Sequence, residues 1–219
     1  MSFSFHALSL TVLLPLPRML SEIVTVIEST GAMALYHDGF GHVSRAASYD
    51  YLDRVFVDMM WYKAFSVYLL LRMRYKVLFQ DADLVWFKEP YQYFKDYIKK
   101  HADRAAKSGS HIEAFITDDG QRSLRYAPFY GNSGFYYLLG NERSEYFAWS
   151  IMKAFDAVQV LGSHQNVFTT KLVEGLALSA KNVMILPIEE FPTGILYHHD
   201  PNYMQRLKEH KVDPYHFHM

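Results

Sequence analysis

Apolar residues recur along this chain in two rhythms, and the two alternate. LSLTVLLP (8–15) reads as a buried strand, MLSEIVTVIEST (19–30) has helical spacing up to Gly31, and AMALYHD (32–38) reads as a short strand. Tyr51 to Tyr75 carries no Gly or Pro and is apolar on more than one side, which predicts a long buried helix. KVLFQ (76–80) is a strand, and YQYFKDYIKKHAD (91–103), after Pro90, is a surface helix with a mixed-charge face. HIEAFIT (111–117) is a strand running into Asp118-Asp119-Gly120, and SGFYYLL (133–139) is another that ends at Gly140-Asn141. Two helices follow, at 142–160 and 164–178, then the strand NVMILP (182–187) and the helix PNYMQRLKEH (201–210). Strands alternating with helices predict an α/β three-layer sandwich whose central sheet is mainly parallel. No repeat, linker or low-complexity tract interrupts it.

Composition narrows the classes. A length of 219 residues suits one domain, and half of them being hydrophobic supplies a core. A net charge of −1 offers no basic field for a nucleic-acid backbone. The absence of cysteine removes disulfides and thiolate metal sites. Met1 to Pro17 lacks charged residues, but its densest apolar run, Leu8 to Leu16, is broken by Pro15 and is too short to span a bilayer, so no membrane span is expected. It also lacks the positive start and small-residue cleavage site of a signal peptide.

Candidate chemistry starts at Asp81 and Asp83, one residue apart behind the apolar strand VLFQ. In α/β sheets ligands gather beyond the carboxyl ends of strands, and two carboxylates on an extended backbone can face one way and offer hard oxygens to Mg²⁺ or Mn²⁺. A bare D-x-D often does no more than end a strand. Lys63 sits in an otherwise apolar helical stretch, where either a phosphate or carboxylate partner, or a stem reaching to the surface, would relieve the cost of its charge. In GNSGFYY, Gly131 and Gly134 permit close backbone approach, while Asn132 and Ser133 can pair with sugar hydroxyls or simply form a turn. Asp118 and Asp119 are either sugar ligands or an ordinary turn, and His164-Gln165 either faces a substrate or opens a helix. His198-His199 reads as a surface loop, and Trp61, Trp86 and Trp149 as core.

The ordered set of these pieces resembles a known family. VLFQDADLVWFKEPYQYF (77–94), Lys63 before it, then TDDG (117–120), YAPFYGNSGFYYLLGNERSEYF (126–147), HQNVF (164–168), ILPIEEFPTG (185–194) and HFHM (216–219) resemble the nucleotide-diphospho-sugar transferases, the set related to glycosyltransferase family 77. The likeness runs over about residues 45–219, leaving residues 1–40 as an atypical N-terminal segment ahead of a transferase domain at 41–219, which is expected to be truncated at its C-terminus because relatives usually continue. The resemblance implies a GT-A fold and a metal, Mn²⁺ or Mg²⁺, held by Asp81, Asp83 and His218; His216 shares a strand face with His218, so only the motif match separates them. It implies Lys63, Asp81, Asp118, Asn132, Ser133 and Gly134 as substrate contacts, and Gln165, His164 and Asp119 as the catalytic group. Relatives often carry Asp-Gln where this chain has His164-Gln165, a departure that bears on the catalytic step. The implied activity is transfer of a sugar from a UDP-sugar to a glycan or glycoprotein acceptor in the Golgi lumen, with retained configuration and Gln165 oxygen near the anomeric carbon. Two other readings stand beside it. One is a degenerate carbohydrate-binding relative; the other is a haloacid-dehalogenase-like phosphatase, for which Val85 satisfies one motif condition while the preceding long helix and NSGFYY fit badly.

Overall fold

The computed structural model describes residues 10–12, 29, 33–35, 53–108, 112–120, 129–179 and 182–218. Strands β1 (Leu10–Val12) and β2 (Met33–Leu35) pair in parallel. The expected helix at 19–30 lies outside the described residues except for Ser29, as do Tyr51 and Leu52 of the expected helix at 51–75.

Helix α1 (Arg54–Arg72) starts where Asp53 accepts a hydrogen bond from the Phe56 amide at 2.8 Å. It buries Val57, Met60, Ala64, Val67 and Leu71, spaced by three and four residues along one stripe. Arg74 then takes a left-handed conformation, φ +67°, and turns the chain into β3 (Val77–Gln80). Gly140 lies under that turn: a Cβ there would run into the carbonyl oxygens of Arg74 and Tyr75.

The main sheet has the order β3, β6 (Gly131–Leu138), β5 (Ile112–Asp118), β7 (Asn182–Ile185). β6 runs antiparallel to both of its neighbours, while β5 and β7 are parallel, so the sheet is mixed where strand and helix alternation led to the expectation of a mainly parallel one. β6 is inserted between two strands that precede it in the chain, a non-local pairing to which periodicity is blind.

Every residue of β6 is buried, so its two faces serve two cores. Tyr136 and Leu138, with Ala114 and Ile116 of β5, join α1, α3 (Glu142–Lys153), α4 (Phe155–Leu161) and α5 (His164–Ser179). Phe135 and Tyr137, with Phe115, pack on the other side against Phe94 of α2 (Tyr91–Ser108), Leu186 and Phe191. The single helix expected over 142–160 is two, broken at Ala154. Helix α6 (Gly194–His199) contains His198 and His199, which close a helical turn where a loop was expected, and α7 (Pro201–Lys208) follows. Trp149 is not core but 40% exposed.

A further two-stranded sheet was invisible to periodicity. β4 (Leu84–Trp86) pairs antiparallel with β8 (His216–His218), Leu84 opposite His218 and Trp86 opposite His216. Tyr215 anchors it by donating its amide to the Glu190 carbonyl and accepting the Phe87 amide, at 2.7 and 2.8 Å. Residues 216–218 are thereby laid beside Asp83. Among the described residues no helix is long and apolar enough to cross a membrane.

Candidate active site

β3 ends at Gln80, but the Asp81 amide still donates to the Gly134 carbonyl at 2.7 Å, so Asp81 is held on the main chain of β6. The stripe of α1 that faces the sheet delivers Lys63 to the same point. Its Nζ lies 2.6 Å from Asp81 Oδ1 and 2.9 Å from Oδ2, with the side chain 12% exposed, and 5.0 Å from the centre of the Phe79 ring. Burial lowers the Lys63 pKa, and the Asp81 carboxylate opposes that shift. Of the two ways for Lys63 to relieve its charge, the structure shows the buried ion pair.

Asp83 is exposed in the turn between β3 and β4. His218 is buried and sets Nε2 3.6 Å from Asp83 Oδ1, too long for a hydrogen bond. Asp81, Asp83 and His218 each offer a ligand atom within 4.8 Å of the others. Their fit to a divalent cation rests on the donor set, two carboxylates and one imidazole, and on space. A Cβ on Gly134 would stand 2.6 Å from His218 Cε1 and 2.7 Å from Asp81 Oδ2, so the chain leaves out the one atom that would fill the spot between them. His216 is separated from this group: its Nε2 meets the Pro192 carbonyl at 3.1 Å, its ring packs against Trp86 and Phe135, and burial, then His218, lowers its pKa to about 4.

A second group of polar side chains adjoins the first through β6. Asp118 is taken up by the turn, its Oδ1 accepting the amides of Gly120 at 3.0 Å and Tyr130 at 3.2 Å. Asp119 accepts Asn132 Nδ2 on Oδ1 and Gln165 Nε2 on Oδ2, both at 2.9 Å. Gln165 Oε1 accepts the amide and hydroxyl of Ser133 at 3.3 and 3.2 Å, and Asn132 Oδ1 accepts the Gly134 amide at 2.6 Å. Gln165 reaches the group because α5 begins here and is tied to β6 by Thr169 Oγ1 donating to the Gly131 carbonyl.

His164 goes elsewhere. It is 4% exposed, borders a small cavity with Val67, Ile151 and Phe168, and neither ring nitrogen finds a hydrogen-bond partner among the described residues. Burial, aided by the Lys63 charge, pushes its pKa down to about 3, so the ring is neutral. Sequence reasoning named the members of both groups but missed that Asp119 is the hub of the second and that β4 and β8 carry the first. The available signal was the isolated pairing of TDDG, GNSG and HQ, three short polar interruptions between apolar runs.

Comparison with protein-family models finds one match, described as nucleotide-diphospho-sugar transferase, over residues 23–219. Neither the curated proteins nor the solved structures yield a match. The matched span takes in every side chain of both polar groups and nearly the whole chain. The protein belongs to the nucleotide-diphospho-sugar transferase family.

Proposed function

We propose that this chain is a metal-dependent glycosyltransferase that moves a sugar from a UDP-sugar to a glycan or glycoprotein acceptor with retention of configuration, on a GT-A-like fold. The observation that carries the reading is the convergence of Asp81, Asp83 and His218 within 4.8 Å, with the Lys63 ammonium on Asp81. Those three side chains would hold the cation, Mn²⁺ by preference because an imidazole joins two carboxylates. When bound, it supplies the positive charge that holds and neutralises a diphosphate. Lys63, paired with Asp81, would turn toward a phosphate oxygen of the bound donor. Gly134 lies between the two polar groups, Asn132 and Ser133 join Asp119 and Gln165 on the sugar side, and His164 packs into the core behind them. In the transfer the bond between the anomeric carbon and the diphosphate oxygen breaks with its electron pair leaving on the diphosphate. The acceptor hydroxyl oxygen forms the new bond on the same face, and its proton passes to the departing diphosphate oxygen.

The test is calorimetric. UDP should bind in Mn²⁺ and at least tenfold more weakly after chelation, and Asp83→Ala should remove the metal dependence. UDP affinity that is indifferent to both Mn²⁺ and Asp83→Ala defeats the proposal, as does turnover of simple phosphomonoesters in preference to UDP-sugars.

A further inference from the structure

We infer that Asp119 is the carboxylate that faces the donor sugar and that Gln165 is a positioning residue that holds it there. The inference rests on the transferase reading above and says which group of that site carries the negative charge.

The argument is an accounting of lone pairs and protons. A carboxylate only accepts, so each amide beside Asp119 must turn its nitrogen toward it. That orientation is confirmed at the far end of both side chains, where Gln165 Oε1 meets the Ser133 amide and hydroxyl and Asn132 Oδ1 meets the Gly134 amide. Both lone pairs of Gln165 Oε1 are thus occupied by Ser133. The Gln165 oxygen expected to lie near the anomeric carbon has nothing left to offer a cationic sugar. Asp119 uses two of roughly four acceptor positions on its two oxygens, one per amide. It is half-buried, and in this ring it is the only group with both a negative charge and spare acceptor capacity.

The backbone explains why Gln165 can act this way. β3 pairs with β6 only as far as Phe135, and the β5 and β6 register slips between Ile116 and Asp118, so Ser133 falls outside the regular register of both neighbours. Gln165 takes the Ser133 amide and extends its other end to Asp119. The placement of Asp119 follows from β6 as well. Asn132, which binds Asp119, and Gly134, which touches Asp81 and His218, are two residues apart, so their Cα atoms are separated by at most about 7 Å. A sugar whose diphosphate sits at Asp81, Asp83 and Lys63 therefore has Asp119 within reach of its ring. As the bond to the diphosphate breaks, positive charge grows on the ring, and a fixed carboxylate stabilises it without forming a bond.

The test exchanges the charge and keeps the hydrogen bonds. Asp119→Asn alone sets an N–H against one of the two amide donors. In the double variant Asp119→Asn with Gln165→Glu, the new amide at position 119 donates to the new carboxylate at position 165, which still accepts from Ser133. Every bond of the ring is remade with the charge moved one hydrogen bond away. Turnover is read on a panel of UDP-glucose, UDP-galactose, UDP-xylose and UDP-arabinose, UDP affinity by calorimetry with Mn²⁺, and folding by thermal melting. Asp119→Asn is expected to lower kcat by about 100-fold with UDP affinity unchanged. The double variant should regain the melting temperature and stay as slow. Recovery of kcat in the double variant, or normal kcat in Asp119→Asn, overturns the assignment of the charge to Asp119. A double variant that does not regain its melting temperature overturns the positioning role of Gln165. A wild-type chain that neither binds UDP with Mn²⁺ nor turns over any of the panel overturns the transferase reading beneath both.

Discussion

Gly134 owes its place to an atom it lacks. The space a methyl group would occupy is filled by the edges of Asp81 and His218, at 2.7 and 2.6 Å from the missing Cβ. Gly134→Ala must push at least one of those side chains away at a cost of about 1–3 kcal/mol, typical of overpacking. The expected outcome is a folded protein whose Mn²⁺-dependent UDP affinity falls at least tenfold, measured by calorimetry beside the melting temperature. His164 makes the opposite case, a polar residue in an apolar position. Its folded pKa, near 3, lies below the ordinary 6.5, so the unfolded chain binds a proton that the folded one refuses. Stability from this residue is present above about pH 6.5 and drains away as pH falls toward 3, by about 2 kcal/mol between pH 7 and pH 5. His216, with its pKa near 4, behaves alike. His164→Leu should remove one such proton from the pH dependence of urea unfolding. An unchanged slope would show that His164 is charged or solvated in the folded state.

At the scale of elements, the stripe on α1 ties one core together. Leu71 is fully buried at its end, and Leu71→Ala should cost about 2–5 kcal/mol, read from the urea midpoint, while UDP affinity below the transition is kept. Elements with an apolar run or a helical stripe were legible in the sequence: β3, β5, β6 and β7, and α1 and α5, match the runs that predicted them, and α2 the amphipathic pattern after Pro90. β4 and β8 were not, since three residues give too few repeats for a period to be read, and what holds them is each other and the main chain around Tyr215. The direction of β6 was hidden for a different reason. A strand buried on both faces carries the same apolar signature whichever way it runs.

For the whole molecule, the sequence made the members of the site legible but not their partners. Asp81 and Asp83 were marked by their position after VLF, and Asn132 to Gly134 by a polar break before FYY. Nothing in one sequence says that Lys63 spends its charge on Asp81, that Gln165 is fastened at both ends, or that His164 and Gln165, neighbours in the chain, serve an apolar core and a ring of polar side chains. Those facts depend on which way a helix is rotated when it lands on the sheet. The choice between His216 and His218 rested on motif alone; in the fold it rests on Pro192, whose carbonyl engages one ring and leaves the other beside the acidic pair.

The pairing of β4 with β8 carries a last consequence. It sets His218 against side chains more than a hundred positions earlier in the sequence, so an ion shared by Asp81, Asp83 and His218 would fasten two distant stretches of polypeptide like a clasp. The denatured chain cannot offer that trio at once, and mass action then favours the folded form by about 2.7 kcal/mol at a hundredfold excess over Kd. Melting temperature should climb with Mn²⁺ concentration in the wild type and stay flat in His218→Ala, and equal gains in both would unfasten the clasp.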